Sequence, residues 1–328
     1  MSANVESMLS VNEVPWHGLG VILDSPPTPA DAIRIAGLDW EVKLKQLYAH
    51  PDLNDAFVWP SPRQVSAFAT TRATDGKVLG IVGPNYTVVQ NTEAFAFFQP
   101  FIDSGTCKIE TAGSLRGGRR IWVLARIEED PTEILKGDEI RRYTLMSNSH
   151  DGTLAVRVGF TGIRAVCENT LTWAHSEGKI LRIRHSKNVH DALEAVQGIM
   201  DMANREFSAS VEQMRAMVRK GVVDVDVAKF VREVFKPKVF LTKGEEERYW
   251  EEGAPQLVGK VLPLFQEENE RMPAASGTVW TMYNAVTNLL THHRVADQSR
   301  RLDSQWFGDS ADKSRLALKV AGKIAVTA

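Results

Sequence analysis

The sequence predicts an α+β fold: a mainly antiparallel, β-rich N-terminal half with an inserted helix, followed by a helical C-terminal half packed on it. Three observations carry this expectation. From Trp40 to about Arg184, apolar residues alternate with polar ones. After His185 they recur at steps of three and four. Turn pairs built from Gly, Asp and Asn divide the first of these stretches into short segments.

Taken in order, residues 1–39 read as an N-terminal arm and a short helix. The arm contains Pro15-Trp16-His17-Gly18-Leu19-Gly20 and then Pro26-Pro27, which predicts little regular structure. Thr28 followed by Pro29 is a helix start, because a hydroxyl caps the free amides and proline has no N–H to leave unpaired. Gly37 ends that helix.

Residues 40–187 read as a β-rich α+β domain. Trp40, Val42 and Leu44 alternate with charged residues, as on a half-buried strand. Segments 67–72 and 78–82 flank Asp75-Gly76, a hairpin turn whose residues tolerate positive φ. Asn91 or Thr92 is placed to cap a helix that buries Phe95, Phe98 and Ile102. Strands follow near 108–112 and 119–127, separated by Gly117-Gly118, and then at 140–147 and 154–160 around His150-Asp151-Gly152.

Residues 188–328 read as a helical region. Val189, Leu193, Val196, Met200, Ala203, Phe207, Val211, Met214 and Val218 predict one amphipathic helix of roughly 30 residues, hence on the order of 45 Å. Further helices are expected at 226–235, 245–271, 278–292 and 311–324. On the helix expected at 278–292 Tyr283 and Thr287 share a face with Asn284 beside it, which suits either a polar seam towards another subunit or an internal polar network.

The charge balance limits the partners. A formal charge of −2 excludes a globally basic coat and leaves local patches open. Two cysteines, Cys107 and Cys167, are too few for a disulfide framework or a Cys-rich zinc site, so a reducing compartment is expected. No segment approaches the roughly 18 apolar residues of a membrane span, and no signal peptide is visible. The expected location is a bacterial cytoplasm or that of a phage-infected host.

Motifs for catalysis are weak. Residues 253–260 end in Gly-Lys but have five residues between the glycines and Val261 afterwards, so they are not a phosphate-binding loop. The histidine pairs His185/His190 and His292/His293 lack zinc spacing. Glu177-Gly178-Lys179, with Asp151 as partner acid, is the one nuclease-like hint, and a plain turn explains it as well. No catalytic residue, metal or organic cofactor is expected.

The basic strands are more informative. On a strand over 119–127, Ile121, Val123, Ala125 and Ile127 point into a core, and Arg120, Trp122, Leu124 and Arg126 point the other way. An exposed face with arginines around Trp122 offers phosphate contacts and a base-stacking platform. Arg182 and Arg184 alternate with Leu181 and Ile183 and lead to Lys187, while Arg119, Arg141, Arg142, Arg157 and Arg164 lie in the same half. From 157 to 187 there are six basic residues (Arg157, Arg164, Lys179, Arg182, Arg184 and Lys187) against Glu168 and Glu177, which predicts a groove for nucleic acid.

Four stretches, in this order, carry a family resemblance: the Pro15 to Gly20 motif, Ala165-Val166-Cys167-Glu168-Asn169-Thr170-Leu171, Thr281-Met282-Tyr283-Asn284-Ala285-Val286-Thr287, and Trp306-Phe307-Gly308. The chain resembles, over nearly its whole length, a domain-of-unknown-function family whose members are called phage/plasmid-like proteins. The resemblance implies a mobile-element context and carries over no catalytic residues. In topology the chain is also similar to single-strand annealing proteins of phages and of the Rad-fifty-two type, which is an analogy of fold. The resulting expectation is non-catalytic binding, extending to annealing, of single-stranded DNA in a phage or plasmid recombination system. The alternatives are an assembly or protein-interaction module that forms a homo-oligomer through the C-terminal helices, and a metal-dependent nuclease.

Overall fold

The computed structural model describes residues 5–12, 20–49, 62–164, 170–171, 181–189, 200–237, 239, 242–293, 304 and 308–326. The α+β class stands, with sheets in the N-terminal half and helices mostly in the C-terminal half. The larger sheet runs β11 (Thr170–Leu171), β10 (Val156–Arg164), β9 (Asp138–Ser149), β7 (Arg120–Ile127), β6 (Cys107–Leu115), β1 (Val5–Val11) and β2 (Val21–Leu23). β12 (Leu181–Ile183) adds to β10, and β8 (Thr132–Leu135) adds to β9. The β1–β2 pair is parallel and the other pairings among the described strands of this sheet are antiparallel. A second sheet pairs β3 (Val42–Ala49), β4 (Arg63–Arg72) and β5 (Val78–Val82).

The short helix starts and stops as expected. α1 (Pro29–Ile35) is capped by Thr28, whose hydroxyl accepts from Asp31 N at 3.2 Å, and Gly37 takes φ +65 after it. The next helix is capped one residue earlier than expected. Gln90 precedes α2 (Asn91–Ala96), and its backbone N–H donates to Glu93 Oε2 at 2.6 Å. Asn91 faces inward and donates to Leu38 O at 2.9 Å. α3 (Gln99–Asp103) follows, and Phe95 and Phe98 are buried as expected while Ile102 packs at the margin of the same core.

The expectation that the arm lacks regular structure is corrected. Residues 5–11 form β1 and pair with β6. Strand alternation is hard to see there because both faces are buried. Leu9 and Val11 join the main core beneath the helices α1 and α2, whereas Val5 and Met8 join a second apolar cluster. Residues 13–19, with most of the Pro15 to Gly20 motif, lie outside the described residues.

The C-terminal half builds its own core. α4 (Met200–Arg219) covers the described part of the long amphipathic segment, and residues 190–199 lie outside the described part. α5 (Asp224–Phe235), α6 (Lys243–Arg248), α7 (Ala254–Arg271), α8 (Val279–Asn288) and α9 (Asp309–Val326) complete it. The helix expected over 245–271 is interrupted by a π-helical turn at Tyr249–Gly253. Pro255 follows Ala254 and has no N–H to bond back into the preceding turn, so the ladder widens there. All 10 residues of α8 are buried within the chain, so Tyr283, Asn284 and Thr287 present no seam to another subunit. Thr287 donates to Asn284 O at 3.0 Å, and Asn284 Nδ2 donates to Trp280 O at 2.8 Å.

Close approach at Gly113 ties β1, β6 and β7 together. A Cβ there would lie 2.4 Å from Trp122 Cη2, 2.5 Å from Ser7 O and 2.6 Å from Met8 Cβ. Gly113→Ala is expected to lose about 1–3 kcal/mol by overpacking, read as a lower urea midpoint. A variant with the wild-type midpoint would show that the indole does not lie over this glycine.

Candidate nucleic-acid interface

The strand β7 separates two apolar layers, and this changes the expected interface. Ile121, Val123, Ala125 and Ile127 face the main core as predicted. The opposite face is not an open platform. Trp122 is 1% exposed and packs with Val5, Met8, Leu115, Leu124, Tyr143 and Leu145. Its Nε1 donates to Thr111 Oγ1 at 3.1 Å. The base-stacking role expected of Trp122 is therefore corrected. The physical reason is that β1 extends the sheet and brings Val5 and Met8 to this face, completing a second core.

Several arginines have protein partners. Arg120 is 8% exposed and donates to Thr153 Oγ1 at 3.1 Å. Arg126 pairs with Glu110 at 2.9 Å and Glu128 at 2.8 Å, and Glu128 also takes Lys108 at 2.7 Å. Arg142 pairs with Glu129. Arg126 and Arg142 thus each have a carboxylate partner within the protein.

A basic end of the sheet remains. β10 and β12 pair with Arg157 opposite Arg182, and Arg157 also lies opposite Ser147 of β9. Opposed residues of an antiparallel pair share a face, so the two guanidinium groups stand side by side. Arg182, Arg184 and Lys187 are exposed. Arg157 is half-buried, and its Nε has no hydrogen-bond partner among the described residues. Burial first, and then Arg182 and Arg120, hold the Arg157 guanidinium below the usual arginine range. From the helical half, Arg315 of α9 feels these charges. Burial and then Arg157 and Arg182 lower its pKa as well, and Asp312 one turn earlier is its ion-pair partner. Arg119 is exposed where β7 begins, its carbonyl accepting from His150 N at 2.8 Å, and Arg141 is exposed along β9. Arg164 closes β10 and its side chain is outside the described part, as are Glu177, Gly178 and Lys179.

The family model described as a domain of unknown function, DUF932, matches residues 78–306. The chain belongs to the DUF932 family. No curated protein and no solved structure matches it. The DUF932 span begins at β5 and runs through β6–β12 and α4–α8, so every basic residue from Arg119 to Lys187 lies inside it. Strands β1–β4 and helix α9, with Arg315, lie outside that span.

A second polar centre, missed by the sequence reading, lies at the junction of the two sheets. His150 Nε2 meets Asn91 Oδ1 at 2.8 Å, and its ring packs edge-on against Trp40, 5.5 Å between centroids. Thr70 of β4 donates to His150 O at 2.6 Å. His185 stacks on Tyr86 at 4.6 Å, and its Nδ1 meets Thr87 O at 3.0 Å. Burial pushes the His150 pKa down to about 3, helped by His185 and Arg72 and opposed by Asp151. His185 is lowered by burial too. A neutral, fully enclosed imidazole bonded to an amide is a joint between the sheets, and it has no proton to offer a substrate near neutral pH. Among the described residues no group of three or more His, Cys, Asp or Glu is placed to hold a metal. Nor is any described helix long and apolar enough to cross a membrane.

Proposed function

We propose that this DUF932 protein binds single-stranded DNA through the basic end of its large sheet, without cutting it, in the setting of a phage or plasmid recombination system. The observation supporting this reading is the run of exposed Arg182, Arg184 and Lys187 on and after the edge strand β12, beside the half-buried Arg157. An edge strand with outward cations offers a line of phosphate contacts at roughly the spacing of an extended backbone. With Trp122 buried, the binding is mainly electrostatic and tolerant of sequence. Strand annealing follows if two strands neutralised on neighbouring copies meet with their bases free.

The experiment is fluorescence anisotropy of a labelled single-stranded oligonucleotide across a salt series. Neutralising three or four phosphates gives a slope of log K against log salt of about −2 to −3. The double variant Arg182→Glu/Arg184→Glu should weaken binding at least about tenfold at low salt. Absence of binding at low salt would overturn the reading. So would full-strength binding by the double variant.

A further inference from the structure

We infer that the groove beside the π-helical turn at Tyr249–Gly253 docks a basic peptide segment of a partner protein, one in which cationic and apolar side chains alternate. The groove belongs to the helical half and is independent of the basic sheet edge.

The groove is open and has a volume of about 420 Å³, room for a few side chains. Pro237 and Val239, just beyond α5, form one wall. Glu245, Arg248, Tyr249 and Glu252 line the other, and their steps of three and four set them along one side of α6 and the π-turn. Two contacts hold this wall in place. Thr242 Oγ1 caps α6 by accepting from Glu245 N at 3.1 Å, and the Tyr249 hydroxyl donates to Arg232 O of α5 at 2.8 Å. Gly253 also lines the groove, at the end of the π-turn. Its φ of −65 is an ordinary helical value, so the backbone does not require glycine there, and glycine weakens a helix. A Cβ at Gly253 would lie 3.5 Å from Tyr249 Cδ2, ordinary contact, so what the glycine provides is space.

Charge and apolar exposure together define the occupant. From Lys243 to Glu252 the chain carries five glutamates against two basic residues. Both cations already have partners, Lys243 with Glu247 at 3.8 Å and Arg248 with Glu252 at 3.4 Å, so carboxylates remain in surplus on this wall. Beside them Val239 is 71% exposed and Trp250 is 39% exposed. The Trp250 ring already receives a cation of this chain, with Lys236 Nζ 5.7 Å from its centroid. An acidic peptide would meet like charge here, and a purely apolar one would leave the glutamates without counter-charges. A basic segment with apolar side chains places its cations on the glutamates and its apolar groups against Pro237 and Val239. Exposed carboxylates attract only modestly and are screened by salt, so the apolar wall has to supply part of the affinity.

The test is fluorescence anisotropy of the full chain with a labelled synthetic peptide of alternating lysine and leucine, beside a matching glutamate–leucine peptide. The lysine peptide should bind, more weakly as salt rises, and the glutamate peptide should not. Glu245→Gln/Glu252→Gln removes charge and should weaken binding at least about threefold. Gly253→Leu leaves the charge unchanged and fills the groove, and should weaken binding about tenfold. If Gly253→Leu fails to fold, Val239→Ser removes the apolar wall from an exposed position and should weaken binding likewise. No binding by wild type overturns the groove, as does equal binding of the glutamate peptide. Affinity that survives Gly253→Leu or its substitute Val239→Ser also overturns it, because the attraction would then be diffuse. Affinity that survives the double glutamine variant overturns the basic character of the occupant.

Discussion

Acidification below pH 6.5 is expected to destabilise the protein steeply, and His150→Gln is expected to remove a large part of that dependence. The His150 pKa falls from 6.5 to about 3 on folding because the ring is fully buried, with His185 and Arg72 adding to the fall and Asp151 opposing it. Between those two values the unfolded chain binds a proton that the folded chain does not, so stability drops as pH falls through the unfolded pKa and stops dropping near the folded one. One such proton is worth about 1.4 kcal/mol per pH unit. His185, also lowered by burial, acts in the same direction. A glutamine keeps a hydrogen-bonding group towards Asn91 and cannot titrate. Urea unfolding at several pH values below 6.5 reads the slopes directly. Parallel slopes for wild type and His150→Gln would show that His150 is not held neutral.

Trp280→Ala is the second large effect, expected to cost about 3–5 kcal/mol. The Trp280 side chain is 0% exposed, in the middle of the helical core. Its Nε1 also donates to Asp138 Oδ2 at 2.8 Å, and that carboxylate, 1% exposed, opens β9. The indole therefore carries packing for one half and a charge-assisted bond to the other. Trp280→Phe keeps most of the packing and loses the bond, so it should fall between wild type and alanine, with a loss of about 1–3 kcal/mol. Denaturant midpoints separate the three. A phenylalanine variant as stable as wild type would mean that Asp138 does not need the indole.

The parts of the fold that the sequence revealed are those whose signals are local. Thr28-Pro29 and Gly37 bound α1 because capping needs only neighbouring residues. Asp75-Gly76 marks the β4–β5 turn because only residues tolerant of positive φ suit it, and Gly76 takes φ +72. What stayed hidden depends on distant partners. Trp122 reads as outward by alternation, and is buried because β1, more than a hundred residues earlier, completes the second apolar layer. Arg126 and Arg142 read as free cations, and the carboxylates paired with them lie at the β6 bulge (Glu110) and just past the end of β7 (Glu128 and Glu129), where alternation does not align them. Arg315 carries no signal in the sequence. It is one of several cations on an amphipathic helix, and the influence of Arg157 and Arg182 on it crosses between the two halves of the fold. The Asn91–His150 contact is legible neither as a motif nor as a spacing, since it joins a helix start to a strand end 59 residues later.

The position of β1 sets a condition on how the chain is made. Among the described residues its only antiparallel neighbour in the sheet is β6, and Ser7 meets Ser114 across 107 residues. A ribosome releases β1 well before β6, so until synthesis has passed Leu115 the segment has the short parallel β2 beside it and lacks its antiparallel partner. During that interval Val5, Met8, Leu9 and Val11 lack the cores they bury into, which makes the segment a natural client for a chaperone that holds short extended segments. Closing so long a loop also makes β1 a late arrival in refolding, so the second apolar layer around Trp122 should gain its protection from hydrogen exchange after the β7–β9 ladder does.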